Sequence, residues 1–204
     1  ISKELINEII NGAKWAPSSY NTQTWDIHVV TGEILDKIRD GNTKNTLAGK
    51  PHVRDFPYKE DYECIHRQRQ IDVAIQLFEV MGIKKEDKEK RMDWTLRGFR
   101  QFDAPVSLVL TYDKYLEPAA ISHFALGALS YGIVLAAWDR GIGCVINGQG
   151  IMQSDVVREH AKIPENENIM ICIAMGYPDP DFAANDVRST RIANESFVNY
   201  LGFD

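Results

Sequence analysis

Residues 119–138 run for 20 positions without a formal charge. A helix apolar on every side can be covered only by lipid or by other parts of a protein core. Ser122, His123, Gly127, Ser130, Tyr131 and Gly132 interrupt the stretch, and a single membrane span would leave the amphipathic segments on either side of it unexplained. The segment is therefore predicted to be the central helix of a globular domain, opened by Pro118 and closed by Gly141. The other elements must then be arranged to cover it.

Leu5, Ile6, Ile9, Ile10 and Ala13 recur at helical spacing behind Ser2, which is placed to cap. That first helix should run to about Trp15 and stop before Pro17. Residues 17–21 are turn formers. Residues 25–30 alternate and read as a strand. Ile34, Leu35 and Ile38 mark a short helix ending near Gly41, followed over 41–59 by a polar, aperiodic loop with Pro51 and Pro57, of the kind that serves as a lid. Residues 62–80 are helical, with Gly82 as the cap. Residues 84–97 form a charged helix anchored by Trp94. Strands are predicted at 106–112, 144–146 and 169–175, and a short helix at 155–161 with Ser154 at its cap. This mixed order places the chain in the α+β class, as one domain over residues 1–204. Past Tyr177 the periodicity ends. Residues 177–204 still carry Phe182, Phe197, Tyr200, Leu201 and Phe203, and an arm of that composition needs a surface. The economical surface is a second copy of the chain, so a homodimer is expected.

Charge and composition remove several function classes. With 23 basic and 29 acidic residues the net charge is −6, so no general basic field attracts nucleic acid, and no membrane partner is expected. Cys64, Cys144 and Cys172 form no CxxC pair and no zinc spacing. They read as reduced thiols of a cytoplasmic protein, and residues 1–10, which carry Lys3, Glu4 and Glu8 in a helical pattern, do not resemble a signal peptide. GxGxxG after a strand, GxxxxGK[ST], HExxH and GxSxG are all absent. His28, His52, His66, His123 and His160 are scattered. His123, inside the apolar segment, reads as a hydrogen-bonded core histidine.

Four segments could carry chemistry. Residues 16–25 bring hydroxyls, two carboxamides and free backbone N–H groups together, suited either to a heterocycle with mixed donors and acceptors or to a helix-to-strand turn. Arg67 shares a helical face with Ile71, Ala74 and Phe78, so it either meets an anion or snorkels at the edge of the stripe. Arg188 and Arg191 flank Ser189 and Thr190, as a phosphate clamp or a solvated cluster would. Residues 141–148 space their glycines so that backbone can approach a flat ligand, although Gly141 and Gly143 also suit a helix cap and a turn.

Taken in order, these segments resemble the FMN-dependent nitroreductase family. Ala16-Pro17-Ser18-Ser19 with Asn21-Thr22-Gln23-Thr24-Trp25 resembles its signature loop, and Phe102-Asp103-Ala104-Pro105 its central-strand entry. Leu135-Ala136-Ala137 through Gly143 resembles the end of its core helix. Met175 to Asp179 and Arg188 to Arg191 resemble its C-terminal signature. The resemblance implies a sandwich with a central, mostly antiparallel sheet flanked by helices, and an arm-exchanged homodimer with FMN at the interface. It implies reduction by NADH or NADPH and then, in ping-pong fashion, of a nitroaromatic or quinone-like acceptor, the flavin carrying the chemistry. A dehalogenase-like flavoenzyme and a non-catalytic flavin-binding protein are the alternatives. By the resemblance, Pro17, Ser18, Ser19 and Asn21 contact FMN across the interface, and Ile146, Asn147 and Gly148 lie along its ring. Arg188 and Arg191 reach the phosphate, with Arg67 a further candidate. Tyr20, Tyr58 and Phe102 are candidates for an aromatic acceptor wall. The family's usual Arg-Arg-Ser-x-Arg segment before the first helix has no counterpart among these residues, which begin at Ile1 already in that helix.

Overall fold

The structure, a computed structural model, describes residues 1–58 and 61–203. Lys59, the last residue of the expected loop, and Asp204, the last of the expected arm, lie outside the described residues. The described residues gather into two compact units, Ile1–Tyr58 with Glu89–Pro178, and Lys59–Lys88 with Asp179–Asp204.

The larger unit opens with α1 (Lys3–Ala13), whose Leu5 N–H donates to the Ser2 hydroxyl at 3.2 Å as the capping pattern requires. It continues through β1 (Asp26–Thr31) and α2 (Gly32–Leu47). The helix α3 (Cys64–Val80) belongs to the smaller unit, and α4 (Lys88–Phe99) leads back into the larger one. There follow β2 (Val106–Asp113), α5 (Ala120–Trp138), β3 (Gly143–Asn147), α6 (Ser154–Ala161) and β4 (Glu167–Gly176). The four strands form one antiparallel sheet in the order β1-β2-β4-β3. Val106, Leu108, Leu110 and Tyr112 of β2 pack with Ile6 and Ile9 of α1 and Leu126, Leu129 and Ile133 of α5. On the opposite face Val109 packs with Leu35 and Ile38 of α2 and Val157 of α6. The period-2 pattern of β2 thus feeds two cores, one under each helical layer.

The apolar helix is only half a core helix. One side of α5 is buried, while Ile121, Phe124, Tyr131, Leu135 and Trp138 stand 51–75% exposed on the other. At the far end of the sheet, β4 carries a register shift. Leu110 pairs with Ile171 and Thr111 with Ile169, so Met170 is an extra residue without a partner on β2. A bulge of this kind turns two neighbouring side chains to one face, and Met170 and Ile171 both pack against the α1/α5 core.

Several boundaries differ from the sequence expectation, each for a local reason. Helix α2 does not end at Gly41 but runs to Leu47, so the loop is shorter than 41–59. A Cβ on Gly41 would lie 2.5 Å from Val156 Cγ1, so this glycine is a close-approach point between α2 and α6 rather than a terminator. Ser154 does not cap α6. It is the first helical residue, and its hydroxyl donates to Asp55 Oδ1 at 2.7 Å. Helix α4 starts at Lys88 because residues 84–87 close a turn in which Lys84 N–H donates to Asp87 Oδ2 at 3.0 Å. Leu96 and Phe99 are its buried anchors, with Trp94 only half-buried. In the smaller unit, α3 packs against the turn at Ala183–Asp186, so the start of the C-terminal segment has a surface within its own chain. Phe197, Tyr200, Leu201 and Phe203 remain 59–86% exposed.

The Gly41 contact yields a direct test. Gly41→Ala gains about 1 kcal/mol of helix propensity and loses about 1–3 kcal/mol to overpacking against Val156. In a Val156→Ala background only the gain remains. The four-protein urea cycle is expected to show a coupling of about 1–3 kcal/mol, and additivity within about 0.5 kcal/mol would contradict the close approach.

Candidate active site

At the β3 edge of the larger unit, the chain leaves Asn147 and turns through Gly148 to Ile151. Asn147 is 4% exposed, and its side chain is fully engaged in that turn. Its Nδ2 donates to Gly98 O at 2.7 Å, and its Oδ1 accepts from Gln149 N at 3.0 Å and Gly150 N at 3.2 Å. The Asn147 carbonyl accepts from Cys172 Sγ at 3.1 Å, and burial pushes that thiol up to about 12. The Asn147 carboxamide is thus structural, and its backbone is what is left to meet a ligand.

Above this turn lies a cavity of about 540 Å³. Five of the sequence candidates line it together: Tyr58, Phe102, Ile146, Asn147 and Gly148. The bulge residue Met170 and its neighbour Ile171 complete the floor. A Cβ on Gly148 would meet only Arg54 Nη2 at 3.9 Å and Ile171 Cδ1 at 4.0 Å, so the glycine leaves its backbone open to a flat ligand. Phe102 enters the wall from a strained segment. Gln101, Phe102 and Asp103 all have φ of 54–55°, a region that non-glycine residues occupy at a cost of about 1–3 kcal/mol each. Gln101 is fully buried, and neither atom of its carboxamide has a hydrogen-bond partner among the described residues.

The remaining wall comes from residues 51–58, a strap laid across α6 and β4. Val53 N–H donates to Met152 O at 2.8 Å, and Ser154 N–H donates to Val53 O at 3.0 Å. Asp55 takes a hydrogen bond from Ser154 Oγ on one oxygen, and from Arg158 Nη2 at 2.5 Å and Ile169 N at 2.8 Å on the other. With the strap so held, the Arg54 guanidinium sits 4.0 Å from the centre of the Tyr58 ring. Phe56 meets His123 edge to face at 5.7 Å, and Tyr112 meets the same imidazole at 5.1 Å. His123 is therefore held by rings rather than by the expected hydrogen bonds, since its buried Nε2 has no partner among the described residues.

The other candidates lie elsewhere. In residues 17–25 much of the polar capacity is spent locally. Gln23 N–H donates to Ser18 Oγ at 3.0 Å, and the Thr22 hydroxyl donates to Ser19 O at 2.7 Å. Tyr20, Asn21 and Gln23 have φ between 46° and 59°, and Tyr20 is completely exposed. Pro17 and Asn21 are also exposed. Ser19 borders a separate concavity of about 520 Å³ shared with Trp25, Asp26 and Asp113. In one chain this loop does not reach the cavity at β3.

In the smaller unit, Arg188, Ser189, Thr190 and Arg191 face Ile65, Arg69 and Asp72 of α3 across a cavity of about 480 Å³. Arg191 Nη1 donates to Ser189 Oγ at 3.0 Å and Thr190 O at 2.9 Å, and Arg188 donates to Asn185 O. Arg67 does not point to a buried face. Residues 61–70 are all exposed, and Arg67 Nη1 donates to Gln70 Oε1 at 2.5 Å. The residue of α3 that shares the tail cavity is Arg69.

Sequence reasoning missed Arg54, Phe56, Arg69, Met170 and Ile171. The dense run Arg54-Asp55-Phe56-Pro57-Tyr58, inside a stretch otherwise read as polar loop, was the available signal for the first two.

Residues 1–177 match the Nitroreductase family. The chain is 30% identical over 201 residues to chloronitrobenzene nitroreductase of Comamonas testosteroni, covering 97% of this chain and 87% of that one. It is 31% identical over 207 residues to nitrobenzene nitroreductase of Ectopseudomonas oleovorans, covering 98% and 88%. Among solved structures, the FMN and NADPH-dependent nitroreductase NfnB from sphigopyxis sp. strain HMH superposes with a TM-score of 0.92 at 22% identity, covering 100% of this chain and 91% of that one.

The turn beneath the cavity can be tested by stability alone. Asn147→Ala leaves Gly98 O and the N–H groups of Gln149 and Gly150 without their partner, a loss of about 2–4 kcal/mol. Urea midpoints measure it, and a variant within about 0.5 kcal/mol of wild type would show that the turn does not depend on this side chain.

Proposed function

The chain belongs to the nitroreductase family, and from that membership we propose that it is an FMN-dependent oxidoreductase. In this reading it uses NADH or NADPH to reduce nitroaromatic or quinone-like acceptors in two alternating half-reactions. The observation that carries the proposal is the cavity at β3, where Tyr58, Phe102, Ile146 and Gly148 converge on a wall that is aromatic and aliphatic on its sides and bare backbone at Gly148.

The donor set fits a flavin. A flat heterocycle needs broad apolar contact and backbone groups that reach its edge, and a glycine beside a buried turn provides the second. Bound FMN supplies the hydride chemistry itself. The chain's residues have the remaining tasks. Ile146 and Gly148 present the β3 edge to the ring, with Asn147 fixing the turn from beneath. Tyr58 and Phe102 form a wall against which an aromatic acceptor stacks and from which water is displaced. Arg188 and Arg191 are the proposed phosphate partners. Their present hydrogen bonds to backbone carbonyls hold them in the tail, and an anion there would be met by charge-assisted contacts.

Pro17, Ser18, Ser19 and Asn21 do not share that cavity within one chain, which supports their reaching the cofactor from a second copy. The same dimer would cover the exposed apolar face of α5, since a contiguous patch of that composition marks an interaction surface. We read residues 1–204 as one nitroreductase-like domain, with residues 177–204 as an arm whose exposed aromatics pack on the partner.

The purified protein is expected to hold FMN and, once loaded, to oxidise NADPH when nitrobenzene is added. Release of FAD, or no flavin after reconstitution, overturns the proposal. Within the same assay Arg191→Ala should weaken FMN by about 2–4 kcal/mol, roughly 30- to 1000-fold, while riboflavin binds both proteins nearly equally. Equal losses for the two ligands would make Arg191 structural.

Sedimentation is expected to find a dimer at low micromolar concentration, and Phe124→Asp on the α5 face should shift the equilibrium toward monomer. A wild-type chain that is monomeric and active at that concentration would refute the dimer.

A further inference from the structure

The cavity of about 480 Å³ in the smaller unit is charged against the trend of the chain. The net charge of the whole sequence is −6. Yet the charged groups among the described residues lining this cavity are three guanidiniums, Arg69, Arg188 and Arg191, and one carboxylate, Asp72. That carboxylate is engaged along its own helix, accepting from Gln68 Nε2 at 2.7 Å. The α3 wall is a single stripe. Ile65, Arg69, Asp72, Val73 and Gln76 stand at helical spacing, so Arg69 lies one turn from an aliphatic residue on either side. The opposite wall is the tail. Ser189 and Thr190 bring two hydroxyls, and the N–H groups of Ser189, Thr190 and Arg191 donate to no backbone carbonyl among the described residues.

Guanidiniums that outnumber the carboxylates beside them repel one another, and an anion between them removes that cost. Guanidiniums, hydroxyls and backbone N–H groups can all donate, and a phosphate accepts from each of them. Ile65, Val73 and Ile192 add an aliphatic wall that free phosphate cannot use. The fit is therefore to a phosphate monoester with an organic body. We propose that Arg69 is the third arm of the clamp begun by Arg188 and Arg191, and that the cavity takes such a monoester. This rests on the reading of Arg188 and Arg191 as phosphate partners. FMN carries one such group at the end of its ribityl chain. NADPH carries another on its adenosine ribose, which NADH lacks. The chemistry is shared, and the test separates the two sources.

Binding of FMN and of riboflavin to the full chain freed of flavin is measured by fluorescence quenching. For the reloaded protein, kcat/KM is measured with NADPH and with NADH, nitrobenzene being the acceptor. Arg69 is exposed, so Arg69→Gln should keep the wild-type urea midpoint. It is expected to weaken a phosphate-bearing ligand by about fivefold or more, the upper end for one exposed charge pair, and to spare the counterpart without the phosphate. A loss in FMN with riboflavin unchanged assigns the phosphate to the flavin. A fall in the NADPH to NADH ratio assigns it to the donor. Arg69→Lys should recover part of the loss, since it keeps the charge without the planar fork. Asp72→Asn should tighten the same ligand by about twofold or more, because it removes the negative charge beside the three guanidiniums. Equal losses with and without the phosphate, or no loss at all, overturn the inference. So does a phosphate-bearing ligand that Asp72→Asn leaves unchanged or loosens. If Arg191→Ala selectively loses FMN while Arg69→Gln moves neither comparison, the reading of Arg191 stands and this inference alone falls. If the wild type binds no flavin, the function proposed above falls, and this inference with it.

Discussion

Leu108, Val109 and Leu110 are fully inaccessible although they point to alternate sides of the sheet. A strand with both faces buried needs an apolar layer above and another below, and this requirement organises the larger unit. Helices α1 and α5 cover one face, and α2 and α6 cover the other. With β2 and β4 in the middle, β1 and β3 take the edges. The β3 edge is the one that ends in a glycine-containing turn, and the strap and the Phe102 segment converge on it. The cavity therefore lies where the two-sided core stops and backbone becomes available to a ligand.

The polar groups near the cavity follow a common economy. Asn147 and Asp55 each spend a whole side chain on backbone groups and on neighbours that would otherwise be buried without partners. Each sits next to a residue that lines the cavity, Gly148 in one case and Arg54 in the other. Rigid, satisfied polar hubs beneath a mostly apolar wall are how a site keeps its geometry while leaving its surface free for a ligand. The exception is the run Gln101–Asp103, with three successive left-handed residues and a carboxamide that has no hydrogen-bond partner among the described residues. Local rules are broken there at the point where Phe102 enters the wall.

Much of this was readable from residue patterns, and the failures have physical causes. The period of Leu5, Ile6, Ile9 and Ala13 and the β-branched run of β2 placed the first helix and the central strand, since those patterns exist to be buried. Gly41 was misread because a glycine that ends a helix and one that admits a neighbouring helix look alike in one dimension. Ser154 was misread because its hydroxyl satisfies a distant carboxylate instead of its own helix. At the site, Tyr58, Phe102, Ile146 and Gly148 were legible as loop aromatics and as a strand edge ending in glycine. Asn147 lines the same cavity, but its side chain serves the turn. Arg54 lay in a stretch without periodicity, where pattern reasoning has nothing to hold. Arg67 and Arg69 are both on α3, and only the position of the tail segment distinguishes them.

The bulge in β4 has a consequence for how such a protein can change over time. In a regular strand every side chain answers to its neighbours across the ladder, so altering one disturbs a pair. Met170 has no such counterpart on β2, and its side chain lies at the cavity floor. Within the limits set by its packing against the α1/α5 core, this position can change in size while the hydrogen-bond ladder on either side stays closed. The supernumerary residue is thus a point of evolutionary slack set into an otherwise constrained sheet, where the shape of the cavity can drift without breaking the strand pairing beside it.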